Sequence, residues 1–178
     1  MTFDLAAHIA GLARVRAAAG VVFRDVGGSV LLVKPTYKPG WEVPGGSAEV
    51  DESPLAAANR EIGEELGVAF PVGRLLVVDW VAAVPPWDGG LMFLFDGGKL
   101  DEAALGRISL PADELDSYAL VPPDELPGRL KPRLARRVLA ALNANGPVYL
   151  EDGYQTSPAR QSQVSGADKP SGMTPGKT

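Results

Sequence analysis

The segment from Ser53 to Gly67 limits the possible folds most, because it describes a helix with both ends marked. Ser53 followed by Pro54 reads as an N-cap and first helical residue: a serine hydroxyl accepts an orphan backbone N–H, and proline has none to lose there. Gly67 stops the helix, since glycine enters the left-handed conformation at little cost. Leu55, Ala58, Ile62 and Leu66 mark the stripe expected to be buried. Glu61, Glu64 and Glu65, at i, i+3 and i+4, then lie toward one edge of a helix that still packs. Like charges at such spacings repel by about 0.2 to 0.5 kcal/mol per pair. Arg60 is the one basic residue in the neighbourhood. Either solvent tolerates the repulsion or a cation from outside the sequence relieves it.

Around this helix the chain reads as short strands separated by glycine and proline. "VVF" (21–23) and "SVLLVK" (29–34) flank the hairpin signal "RDVGG", and "YKPGWEVPGG" is expected to be loop. "RLLVVDWVAAV" (74–84) and "GLMFLF" (90–95) read as strands joined through "PPWDG", with weaker strand signals at "GRISL" and "YALV". Phe3, Leu5, Ile9, Leu12 and Val15 predict an amphipathic helix over 3–18, and residues 129–144 a second helix whose arginines read as a solvated face. The expected organisation is an N-terminal helix (1–19), one domain (20–150) and a disordered tail (151–178) poor in large apolar residues.

Several function classes fall away. A net charge of -5 argues against sequence-independent nucleic-acid binding, which needs a basic stripe to displace phosphate counterions. Without cysteine there is no disulfide, thiolate nucleophile or cysteine-bound zinc. The single histidine, His8, sits in the N-terminal segment and reads as structural or solvent-facing, so a Ser-His-Asp triad is not expected. The first twenty residues lack a basic start and carry charges throughout, unlike a signal peptide or membrane span, so the expected setting is cytoplasmic. The terminal "GKT" has Ser171 where a phosphate loop needs glycine.

What remains is the carboxylate helix as a site. Oxygen-rich sites suit magnesium and manganese. Glu61, Glu64 and Glu65 supply that chemistry, and Gly45 and Gly46 allow a close backbone approach from which a carbonyl could complete the set. Glu52, just before the cap, can brace Arg60 two turns on. From Gly46 the chain runs through five residues to Glu52, seven more to Arg60, then Glu61, Ile62, Gly63, Glu64, Glu65, Leu66, Gly67 and Val68. This run resembles the complete signature of the Nudix hydrolases.

The resemblance implies an α/β fold, an α/β/α sandwich with a mixed sheet between helices. It also implies magnesium-dependent hydrolysis, with manganese as an alternative, of a nucleoside diphosphate linked to another moiety. By position, Glu64 and Glu65 resemble central metal ligands, Gly45 a backbone-carbonyl ligand and Glu61 a ligand or general base; Arg60 and Glu52 resemble an orienting pair beside Gly46. Many family members use a further base on a loop outside the signature, and Glu114 or Asp116 is expected to supply it. The candidate catalytic set is therefore Arg60, Glu61, Glu64 and Glu114, and the metal set Gly45, Glu61, Glu64 and Glu65.

Substrate selection is expected from Lys34, Lys38 and Trp41, with Tyr37, Trp80 or Trp87 available for stacking on a base. Pro85 and Pro86 lie near the place where relatives resembling ADP-ribose pyrophosphatases carry a proline, so ADP-ribose, nucleotide sugars and nucleoside triphosphates are all expected candidates. The expected partner is a small nucleotide, with neither nucleic acid nor membrane, and a monomeric or homodimeric protein. The alternative is a Nudix-like module that binds a nucleotide without hydrolysing it; such modules commonly lose a signature glutamate, and this chain keeps them all.

Overall fold

A computed structural model describes residues 3–156. Its strands are β1 (Arg16–Asp25), β2 (Val30–Pro35), β3 (Gly45–Ser47), β4 (Leu75–Val81), β5 (Gly90–Leu100), β6 (Leu115–Val121), β7 (Val148–Glu151) and β8 (Tyr154–Gln155). Its helices are α1 (Leu5–Ala10), α2 (Pro54–Leu66), α3 (Glu102–Leu105), α4 (Leu126–Arg129) and α5 (Pro132–Asn143). The strands form one mixed sheet in the order β6-β2-β1-β5-β4-β7-β8, with β3 paired to β1 off that path. β1 runs parallel to β5 and β4 parallel to β7; the remaining pairs are antiparallel.

Successive strand residues point to opposite faces, so β1 and β2 each feed two cores. Val21, Phe23, Leu31 and Val33 pack with Ala57, Ala58, Ile62 and Leu66 of α2. Val22, Val30 and Leu32 pack with Leu126 and with Ala135, Val138 and Ala141 of α5. A strand covered on both sides needs an unbroken apolar run rather than alternation, and residues 19–23 are all buried. The expected sandwich, a mixed sheet between helices, is the observed one.

α2 begins and ends where its caps predict. Ser53 Oγ accepts from Ala56 N at 3.2 Å, and Gly67 takes φ 65°. Its buried arc is shifted from the expected stripe: Ala57 and Glu65 are covered, whereas Leu55 is 44% exposed. Two adjacent alanines let the helix lie close to β1 and β3, and Leu55, in the first turn, lies outside that contact.

Elsewhere pairing overrides local preference. The helix expected over 3–18 is only the six residues of α1, capped by Asp4; from Arg16 the chain is strand. Ala17, Ala18 and Ala19 are good helix formers, but β1 aligns with β5 along its whole length and with β3 over Ala18–Gly20, and those ladders outweigh propensity. The expected loop "YKPGWEVPGG" contains the start of β3, a bridge from Glu42 to Val33 and one from Trp41 to Leu130. "GRISL" is a turn and irregular chain after α3, not a strand, while "YALV" falls in β6. The hairpin of β7 and β8 carries ordered structure past residue 151; of the expected disordered tail, residues 157–178 lie outside the described residues. No described helix is long and apolar enough to cross a membrane.

Candidate active site

The site forms where β3 meets α2. Gly45 has φ 137°, and a Cβ on it would stand 2.1 Å from the carbonyl oxygen of Ala19; a Cβ on Gly46 would stand 2.2 Å from Glu61 Oε1. Only glycine satisfies both approaches. The close turn brings Gly45 N to Glu65 Oε2, to which it donates at 2.7 Å. Glu65 is therefore held from the backbone side, 7% exposed, with no hydrogen bond to Oε1 among the described residues.

The three glutamates do not share one edge. Glu65 lies in the buried arc, Glu61 is partly buried and the Glu64 side chain is 54% exposed. Burial pushes the Glu65 carboxyl up to about 8; the Gly45 N–H opposes this, and the charges of Glu61, Glu114 and Glu42 add to it. Burial also raises Glu61 above the ordinary carboxylate range against the pull of Arg60, with Glu64 and Glu114 contributing. Glu114 thus belongs to the same electrostatic cluster.

Arg60 ties the pieces together. Its Nε and Nη2 each donate to a different oxygen of Glu52 at 3.0 Å, and Nη2 also reaches the carbonyl of Ser47 at 3.1 Å. Nη1 donates at 2.9 Å to both Glu61 Oε1 and Glu64 Oε2. Glu52 accepts in turn from Glu49 N at 2.9 Å, and Arg60 holds its carboxyl below the usual range. The expected brace between Glu52 and Arg60 is present and extends to β3 and two of the glutamates. In this structure Arg60 offsets part of the repulsion along α2, that between Glu61 and Glu64, while Glu65 is left to the Gly45 N–H.

Among the described residues no three acidic or histidine side chains converge as a ready-made metal cage. The donor chemistry nevertheless fits a hard cation: an all-oxygen set, a buried carboxyl with one oxygen uncommitted, and a glycine cradle that a Cβ would fill. Glu61 and Glu65, on the cavity wall, would hold it, with the backbone at Gly45 as the adjoining oxygen source; Glu64, expected with them, is more exposed and bonded to Arg60.

A cavity of about 700 Å³ opens beside this cluster. Gly45, Gly46, Glu61, Glu65 and Glu114 line it, as do Tyr37 and Lys38. Lys38 Nζ is 2.7 Å from Glu42 Oε2. Lys34 is not brought to the cavity but pairs with Asp116 at 2.8 Å, so both leave its wall. Trp41 packs against the α5-side core instead of lining the cavity. Trp80 sits in β4 and Trp87 is exposed beneath the Arg16 guanidinium, neither of them in the lining.

Among the lining residues that the sequence reading did not single out are Glu42, which pairs with Lys38, and three cations, Lys131, Arg133 and Arg137, from α5 and the residue before it. Arg137 is buried, with Nε and Nη2 donating to Asp79 Oδ2 at 2.9 and 2.6 Å, and Gly153 N donating to Asp79 Oδ1 at 3.0 Å. The available signal was Asp79 in the middle of "VVDWV": a carboxylate in an apolar strand needs a buried cation.

A family model described as the NUDIX domain matches residues 14–142. The chain is 32% identical to a MutT-like protein from Streptomyces ambofaciens over 142 residues, 79% of this chain and 86% of that one. Its fold is similar to that of a UDP-X diphosphatase, with a TM-score of 0.62 at 21% identity, covering 84% of this chain and 76% of the other. It is also similar to that of an ADP-ribose pyrophosphatase from Streptococcus suis, with a TM-score of 0.55 at 18% identity, covering 78% and 99%.

Proposed function

This chain belongs to the NUDIX domain family, and on that premise we propose that it is a pyrophosphohydrolase cleaving a phosphoanhydride bond of a nucleoside diphosphate linked to another moiety, with magnesium or manganese as cofactor. The observation that carries the reading is the pair of covered carboxylates, Glu61 and Glu65, packed against the Gly45–Gly46 turn on the wall of a nucleotide-sized cavity. A phosphoanhydride is a good leaving system protected by its own negative charge. A bound divalent ion supplies Lewis acidity, neutralising that charge and easing deprotonation of water.

The chain's own residues supply the remainder. Glu61, Glu64 and Glu65 gather more negative charge than Arg60 alone balances, and Gly45 N–H fixes the orientation of Glu65. Arg60 holds Glu61 and Glu64 in register with the loop through Glu52 and Ser47. Glu114, in the cavity wall and with its charge felt by both Glu61 and Glu65, is the group proposed to take the proton from the attacking water. Among the aromatic residues singled out in the sequence, Tyr37 is the one in the lining, which supports a role for it against a base or ribose. The names of the structural neighbours are compatible with ADP-ribose or a nucleotide sugar as substrate; nucleoside triphosphates belong to the same chemical class.

The test is a panel of nucleotides with magnesium, analysed by product mass, for the parent and for Glu65→Gln and Glu114→Gln. Loss of turnover in folded Glu65→Gln supports the proposal. Activity equal to the parent would sink it, and binding without any product from the parent would indicate a sensing module.

A further inference from the structure

We propose that the first turns of α5 form a second, metal-independent anion subsite in the cavity, one that receives a further phosphate besides the two joined by the bond under attack. The inference rests on the cavity being the hydrolytic site, and it narrows the substrate to one with negative charge at a distance from the carboxylate cluster.

Of the charges lining the cavity, Glu61 and Glu65 come from α2 and Glu114 from the chain just before β6, Lys38 and Glu42 pair with each other on the loop between β2 and β3, and Lys131, Arg133 and Arg137 come from α5 and the residue that precedes it. The acids that pair with those arginines stand outside the lining: Arg133 Nη1 meets Asp152 Oδ1 at 2.9 Å, and Arg137 is held by Asp79. A ligand in the cavity therefore faces the cations while their counter-charges lie behind them. Lys131 is exposed and has no ion pair among the described residues. Arg137 commits Nε and Nη2 to Asp79, and its Nη1 makes no hydrogen bond within the described residues. Arg133 spends one of its donors on Asp152.

Lysine and arginine donors of this kind suit phosphate oxygens, and charge-assisted bonds are about twice as strong as neutral ones. An uncharged sugar would leave Lys131 and the uncommitted donors of Arg133 and Arg137 without a charged acceptor. A polyphosphate chain satisfies them, so the preferred substrate carries a further phosphate besides the two joined by the bond that is cut.

Because the acid cluster repels anions when no metal is present, the two subsites separate experimentally. Calorimetry with inorganic tripolyphosphate in EDTA should show binding to the full chain. Lys131→Glu should weaken it about tenfold, and Arg133→Ala should also weaken it, whereas Glu65→Gln, which takes an acid out of the cluster, should not weaken it. With magnesium, Lys131→Glu should raise KM for a nucleoside triphosphate while KM for ADP-ribose stays constant. No tripolyphosphate binding by the parent in EDTA, or binding indifferent to both α5 substitutions, overturns the subsite. Failure of hydrolysis across the panel, with metal-free binding retained, would instead remove the hydrolase reading alone.

Discussion

Glu65 carries two opposed demands, and they can be separated by pH. Its carboxyl titrates near 8 in the folded chain against an ordinary value of 4.5, so the folded state holds a proton that the unfolded state has released across that window. Stability of the metal-free protein from this group is complete below 4.5 and is lost as pH rises through 8. Thermal melts in EDTA should therefore fall from pH 5 to pH 9 for the parent and flatten for Glu65→Gln, whose amide oxygen can still accept from Gly45 N. The same substitution should reduce hydrolysis by about 100-fold or more, since an amide cannot ionise to the carboxylate that a divalent ion would draw out of Glu65. The adjacent glycines should separate in a similar way. Gly46→Ala pushes only on the flexible end of Glu61, so circular dichroism and melting should change little while turnover falls. Gly45→Ala meets backbone at an unfavourable φ and should cost about 2 to 4 kcal/mol by urea unfolding. The glycine pair was legible in the sequence as a close approach, but not which glycine faces the carboxylate and which faces the sheet, because that depends on how β3 pairs with β1.

At the scale of elements, α2 and its preceding loop act as one piece because Arg60 bridges them. Arg60→Lys keeps the charge but loses the planar fork that reaches Glu52, Ser47, Glu61 and Glu64 together. A fall in kcat of about 10- to 100-fold is expected, as for other residues that orient metal ligands, with a smaller change in KM. Steady-state kinetics on one substrate tests it, and an unchanged kcat would mean the brace is only structural. The caps of α2 were readable because they begin as local chemistry: Ser53 bonds three residues on, and Gly67 takes a left-handed φ, although the Ser109 backbone, which sequence spacing does not reveal, also packs against that end. The N-terminal segment was misread for the opposite reason. "RAAAG" has helical preference, but it is strand because β5, far along the chain, supplies its hydrogen bonds.

At the scale of the whole molecule, the Asp79–Arg137 pair joins β4, α5 and the β7–β8 turn, and sets a cation on the cavity wall. Asp79→Asn should cost about 3 to 5 kcal/mol by denaturant unfolding, because it leaves a buried guanidinium without its counter-charge. Replacing both partners by apolar residues, Asp79→Leu with Arg137→Met, should recover much of that loss, and a double-mutant cycle would measure the coupling. The capped carboxylate helix, the glycine turn and the arginine brace could be read from the chain alone because their partners lie within a few helical turns and obey short-range stereochemistry. Which glutamate is buried, the placement of Glu114 in the cavity and of Lys34 and Trp41 outside it, and the recruitment of α5 cations were decided only by the order of strands in the sheet. Strand order fixes which distant residues share a cavity, and sequence spacing carries no record of it.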